Sequence, residues 1–169
     1  MKQLLLIRHA KSDWADSSLK DFDRPLNKRG KENAPEMANR LLQKSLIPQC
    51  IITSPALRAK STAHFFADTF GFSKDLLQED KRIYEASPST LLDIVNHFDN
   101  QYNFIALIGH NPGLTQLLIT LSNSDIYNIP TCGMALIEFP FDNWNLLSAG
   151  TGDLRYYDYP KNKEGQSLD

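Results

Sequence analysis

Residues 104–118 read FIALIGHNPGLTQLL, and the order of residue types within them decides the fold. Phe104 to Ile108 is a short, continuous apolar run, the pattern of a strand buried on both faces in a parallel sheet. Gly109 breaks the run and Pro112 opens the next element. Leu114, Leu117, Leu118 and Leu121 then recur at helical spacing, which predicts a helix with one buried stripe.

The same strand, turn and helix recur on the N-terminal side. Gln3 to Ile7 is a second apolar run, and it ends at Arg8 and His9. From Lys31 to about Leu46 the residues Ala34, Met37, Ala38, Leu41 and Leu42 mark an amphipathic helix between Gly30 and Pro48. Cys50 to Thr53 is a third run. Ser54-Pro55 then opens a helix through Ala59, Thr62, Ala63, Phe66 and Ala67 that Gly71 closes. Ser87-Pro88 starts another helix, with Leu91, Leu92, Ile94, Val95 and Phe98. Beyond the opening stretch, Met134 to Phe139 and Trp144 to Ala149 are expected as antiparallel strands. Repeated alternation with right-handed crossovers predicts an α/β chain folded as a three-layer α/β/α sandwich around a mostly parallel sheet.

A chain of 169 residues with 41% hydrophobic side chains supports one core, so a single domain is expected over residues 1–158, with 159–169 as a solvated, flexible tail. Eighteen basic against twenty acidic side chains give a formal charge of -2, which excludes a general positive field for nucleic acid or an anionic membrane. Attraction for phosphate has to be local. Leu4 to Ile7 is too short for a signal-peptide core and no stretch approaches a membrane span, so the cytoplasm is the expected compartment. Cys50 and Cys132 lack the spacing and companion histidines of a zinc site and read as free, buried thiols.

Three polar clusters fall at the carboxyl ends of the expected parallel strands, where ligand sites of open α/β sheets gather. They are Arg8-His9-Ala10, Thr53-Ser54-Pro55 leading to Arg58, and Gly109-His110-Asn111-Pro112-Gly113. Two guanidinium forks suit bidentate contact with phosphate oxygens. A neutral imidazole can attack phosphorus and split a transfer into two easier steps, while a second histidine, kept protonated by the charge of the bound dianion, stabilises the transferring phosphoryl. Arg58 stands in the first turn of its helix, where a cation opposes the dipole unless an anion offsets it. Phosphate or sulfate is the expected occupant.

These motifs resemble the histidine phosphatase superfamily, and within it the small SixA-like phosphohistidine phosphatases. The resemblance runs from Leu4 to about Gly152 through LLLIRHAKSDW, DFDRPLNKRGKENA, ITSPALRAKSTA, IYEASPSTLLDIV and LIGHNPGLTQL. It implies a phosphoglycerate mutase-like fold and a metal-independent phosphatase without a cofactor. His9 would be the phosphorylated nucleophile, Arg8 and Arg58 the phosphate clamps, and His110 the second pocket histidine. The usual Arg-His-Gly is Arg-His-Ala here, which requires that the backbone at Ala10 need no glycine-only conformation. Members that act on phosphate monoesters typically supply a glutamate as acid, and Glu85 is the only carboxylate here in a suggestive motif.

Bland readings accompany the sharp ones. Arg24, between aspartates, suits an ion pair more than a substrate contact. Asn111 serves either as a phosphate donor or as a cap for the helix after Pro112. Lys11, Asp13 and Trp14 fit a solvated loop as well as a substrate contact. No carboxylate adjoins His9 or His110, so no metal is expected. The leading reading is hydrolysis of phosphohistidine on a protein, or of a related phosphoramidate. The alternatives are a small phosphomonoester with Glu85 as acid, and a non-catalytic module that binds phosphate or phosphoprotein.

Overall fold

A computed structural model describes residues 1–162 and the backbone of 166 and 167. Its centre is strand β1 (Lys2–Arg8), in which Leu4 and Leu6 enter one core cluster while Leu5 and Ile7 enter the other. Successive strand residues point to opposite faces, so a run apolar at every position is what two covered faces require. Strand β4 (Phe104–Gly109) pairs with it in parallel, and β2 (Cys50–Thr53) and β3 (Leu77–Glu79) continue the parallel half. Three strands, β5 (Met134–Phe139), β6 (Asp153–Asp158) and β7 (Gln166–Ser167), add an antiparallel half beyond β1. The order across the sheet is β3-β2-β4-β1-β5-β6-β7.

Helices α1 (Lys28–Gln43) and α2 (Leu57–Phe70) cover one face, with Met37, Leu41 and Phe66 against Leu5, Ile7 and Ile51. Helices α3 (Pro88–Asn96) and α4 (Gly113–Ser122) cover the other, with Leu91, Val95, Leu117 and Leu118 against Leu4 and Leu6. The three-layer α/β/α sandwich is therefore the observed fold. No helix among the described residues is long and apolar enough to cross a membrane.

Several local expectations need correction. Trp144 to Ala149 is not a strand. Trp144–Leu146 is a 3-10 turn whose buried indole donates to the Tyr102 carbonyl at 2.9 Å, with Asn143 capping the turn. The strand beside β5 is Asp153–Asp158 instead. Helix α1 starts three residues before Lys31, because Asn27 Oδ1 caps it by accepting from the Gly30 amide at 2.8 Å. It stops at Gln43, ahead of a left-handed Ser45 (φ 57°). At the start of the expected tail the Arg40 guanidinium donates to the carbonyls of Tyr159, Pro160 and Asn162. Residues 163–165 and 168–169 of that tail lie outside the described residues.

Candidate active site

The carboxyl ends of β1 and β4 lie side by side in register, Arg8 opposite Gly109, and the His9 amide donates to the Gly109 carbonyl at 3.1 Å. This pairing brings His9 and His110 together, with ring centroids 5.2 Å apart. Strand β2 ends beside β4, and Ser54, the residue after it, has its Oγ hydrogen-bonded to His110 Nε2 at 2.7 Å. Thr62 of α2 ties the first two clusters: its Oγ1 accepts from the Ala10 amide at 2.9 Å and donates to the Arg58 carbonyl at 2.7 Å. Ala10 is not among the residues with positive φ, so the alanine in Arg-His-Ala is accommodated without strain.

His9 is buried, and its Nδ1 lies 2.8 Å from the Ala10 carbonyl oxygen. A carbonyl only accepts, so Nδ1 carries the proton and Nε2 keeps its lone pair. Burial is the main cause that pushes the His9 pKa down to about 3; the hydrogen bond to Ala10 opposes it, and His110, Arg58 and Arg8 add to the depression. Burial, with Arg58, Arg8 and Arg24, likewise holds His110 down to about 4 against the opposing charge of Asp21. The Arg8 guanidinium is lowered too, by burial and by its neighbour Arg58.

Arg8 Nη1 donates to the Ile129 carbonyl at 3.0 Å, and Arg58 donates through Nη1 and Nη2 to the backbone oxygen and Oδ2 of Asp21 at 2.7 and 3.0 Å. Around His9, among the described residues, three buried nitrogens have no hydrogen-bond partner: Arg8 Nε, Arg58 Nε and His110 Nδ1. An unpaired buried donor costs about 1–3 kcal/mol, so three beside one imidazole mark a place built for an acceptor. Both α2 and α4 start at this place, where the amino ends of helices favour an anion.

The remaining sequence candidates stand around this centre. Arg24 is buried; it donates to Asp21 Oδ1 from Nε (3.2 Å) and Nη2 (2.9 Å) and to Ser12 Oγ from Nη1 (2.7 Å). Its guanidinium carbon lies 3.4 Å from the ring centroid of the exposed Trp14. Asn111 Oδ1 accepts from the amide and hydroxyl of Thr115 in α4, while its Nδ2 donates to Ile129 and Asn128. Its side chain is thus committed to the helix and to the loop behind Arg8. Glu85 is exposed, in a left-handed conformation (φ 56°), with its carboxylate near the Tyr84 hydroxyl rather than among the buried groups. Among the described residues no three His, Cys, Asp or Glu side chains gather as metal ligands.

Asp21 and Tyr84 escaped the sequence reading. The Tyr84 hydroxyl donates to Asp21 Oδ2 at 2.6 Å and its ring meets that of His110 edge-on at 5.6 Å. The available signals were local: Asp21 stands one helical turn before Arg24, and Tyr84 immediately precedes Glu85.

The family model described as the histidine phosphatase superfamily (branch 1) matches residues 4–90, a span that includes Arg8, His9 and Arg58. The chain belongs to the histidine phosphatase superfamily. An uncharacterized chloroplastic protein of Arabidopsis thaliana is 30% identical over 159 residues, covering 89% of this chain and 72% of that protein. A protein of Agrobacterium tumefaciens described as a SixA phosphohistidine phosphatase is 25% identical, with a TM-score of 0.79 over 94% of this chain and 98% of that one. A protein histidine phosphatase SixA complexed with tungstate shares the fold at 19% identity, with a TM-score of 0.74 over 94% and 97% of the two chains. This member of the histidine phosphatase superfamily is SixA-like, and that membership supports phosphatase activity.

Proposed function

We propose that the chain is a metal-independent phosphatase in which His9 takes up the phosphoryl group, and that its substrate is phosphohistidine on a protein or a related phosphoramidate. The observation that carries this reading is the set of three partnerless buried nitrogens, on Arg8, Arg58 and His110, around an imidazole with an available Nε2 lone pair. A phosphoryl group supplies the missing acceptors. In the first step Nε2 of His9 bonds to phosphorus and the bond from phosphorus to the leaving nitrogen breaks. That nitrogen takes a proton, which His110 can provide once the bound dianion has raised its pKa. In the second step water attacks the phosphorylated His9 and releases inorganic phosphate.

The leaving group decides between substrates. Burial works to raise the Asp21 carboxyl, but hydrogen bonds from Tyr84 and Arg24 and the charge of Arg58 outweigh it and keep the group ionised, well below the carboxylate range. Glu85 is exposed. Asp21 is thus no ready proton donor for an alkoxide and Glu85 stands apart from the buried groups, whereas an imidazole leaves near neutrality with less help. Direct competition between a phosphohistidine protein and small phosphate esters tests the choice, with Glu85→Gln beside wild type. The protein should be dephosphorylated faster, with Glu85→Gln within a few-fold of wild type. Faster ester hydrolysis that collapses in Glu85→Gln would install the monoester reading.

A further inference from the structure

Asp21 contacts more of the pocket than its neighbours do. Its Oδ2 accepts from Arg58 Nη2 and the Tyr84 hydroxyl, its Oδ1 accepts from Arg24 Nε and Nη2, and its backbone oxygen accepts from Arg58 Nη1. The side chains of Arg24 and Arg58 are 8% and 7% exposed, whereas that of Asp21 is 47% exposed, so one carboxylate at the rim covers two buried cations. The contacts with Arg58 are unevenly distributed over its guanidinium. A guanidinium offers an end-on fork, Nη1 with Nη2, and a side-on fork, Nε with the second hydrogen of Nη2. Asp21 takes the end-on fork of Arg58 with its backbone and side-chain oxygens, and Nε is left without a partner.

A plain ion pair accounts for this poorly. One carboxylate against Arg8, Arg24 and Arg58 leaves the cluster positively charged, and the acceptor missing at Arg58 Nε is on the side away from the end-on fork that Asp21 fills. Nor does Asp21 suit proton donation, since its three donors hold it ionised.

We propose that Asp21 is a positioning residue for phosphoryl transfer: by holding the end-on fork of Arg58 from the rim, it keeps the side-on fork turned to the phosphoryl group. It also fixes Arg24 and Tyr84 as walls of the opening through which the leaving group departs. The inference rests on the reading of Arg58 as a phosphate clamp.

The test compares wild type, Asp21→Asn, Asp21→Glu and Arg58→Lys. Inorganic phosphate affinity is measured by titration calorimetry, turnover on one phosphorylated substrate across pH, and the melting temperature for each. Removing a negative charge from a phosphate site should by electrostatics alone tighten phosphate binding. Positioning predicts the opposite sign: Asp21→Asn binds phosphate about tenfold more weakly and loses about tenfold or more in kcat/KM. Asp21→Glu, with its charge kept, should recover part of the turnover. The groups facing His110 are Arg8, His9, Asp21, Arg24, Arg58 and the Tyr84 ring. Loss of the Asp21 charge should therefore shift the alkaline limb of the kcat profile, set by His110 as proton donor in the substrate complex, to lower pH in Asp21→Asn but not in Asp21→Glu. Tighter or unchanged phosphate binding with unaltered turnover in Asp21→Asn overturns the proposal. Should that variant not fold, Asp21→Glu with wild-type phosphate affinity and turnover overturns it equally. If Arg58→Lys weakens phosphate binding and neither Asp21 variant does, only the role of Asp21 falls. A wild type that takes up no phosphate removes the clamp itself and this inference with it.

Discussion

At the scale of the residue, the state of His9 is set by one hydrogen bond and by burial. The Ala10 carbonyl fixes the proton on Nδ1, and burial among cations keeps the ring neutral far below its ordinary range. Both pocket histidines have folded pKa values below the unfolded value, about 3 for His9 and about 4 for His110. Their contribution to stability is therefore full above about pH 6.5 and is lost as pH falls from there toward 4 and 3, where only the unfolded chain accepts protons. His9, the proposed nucleophile, stays neutral through that window in the empty pocket. Ring resonances of His9 and His110 followed by NMR without phosphate should remain those of neutral imidazoles from pH 8 down to about 5. Midpoints near 6.5 would contradict burial as the controlling cause. Arg58 stands in the first turn of α2, where the helix dipole disfavours a cation, and the Asp21 carboxylate at 3.0 Å is the anion that offsets it.

At the scale of the element, the site is made by three strand ends and by helices held close to them. Gly30 of α1 packs so tightly on the loop after His9 that an added Cβ would stand 2.2 Å from the Lys11 carbonyl oxygen. Gly113 at the start of α4 meets the Ala86 carbonyl at the same separation. Alanine is ordinarily the better helix former by about 1 kcal/mol. Gly30→Ala should nevertheless destabilise the fold by about 1–3 kcal/mol, because backbone has to move, and should lower activity through displacement of the His9 loop. A urea midpoint equal to or above wild type would show that Lys11 yields freely. What was legible in the sequence follows from these elements. β1 is apolar from Leu4 to Ile7 and β4 from Phe104 to Ile108 because both faces are covered, and each run leads into the polar residues that reach the site. Pairing across 50 to 100 residues follows from parallel order, so His9, Arg58 and His110 could be brought together on paper. Contacts made by irregular backbone could not. Asp21 reaches Arg58, 37 positions away, from a short 3-10 turn that no periodicity announces. Trp144 sits in a run that alternates like a strand, yet its indole reaches the Tyr102 carbonyl through a turn. Glu85 stood in a suggestive motif, but its left-handed backbone leaves it exposed beside Tyr84.

At the scale of the whole molecule, a chain of net charge -2 concentrates Arg8, Arg24 and Arg58 where β1, α2 and the loop after β1 converge. The mouth is thus locally positive on a chain of net negative charge, which favours a phosphoryl group there. The parallel half of the sheet supplies the site, while the antiparallel half closes over β1, where the amide of Cys132 holds the carbonyls of Arg8 and His9 at 3.0 Å. His9 is the proposed carrier of the phosphoryl group. The most direct test is to quench turnover of a substrate radiolabelled in its phosphoryl group and map the label on the protein. The account predicts label on the peptide containing His9, labile to acid, stable to alkali and absent from His9→Ala. Phosphate release without a labelled protein, label that survives acid but not alkali, or label retained in His9→Ala would contradict it.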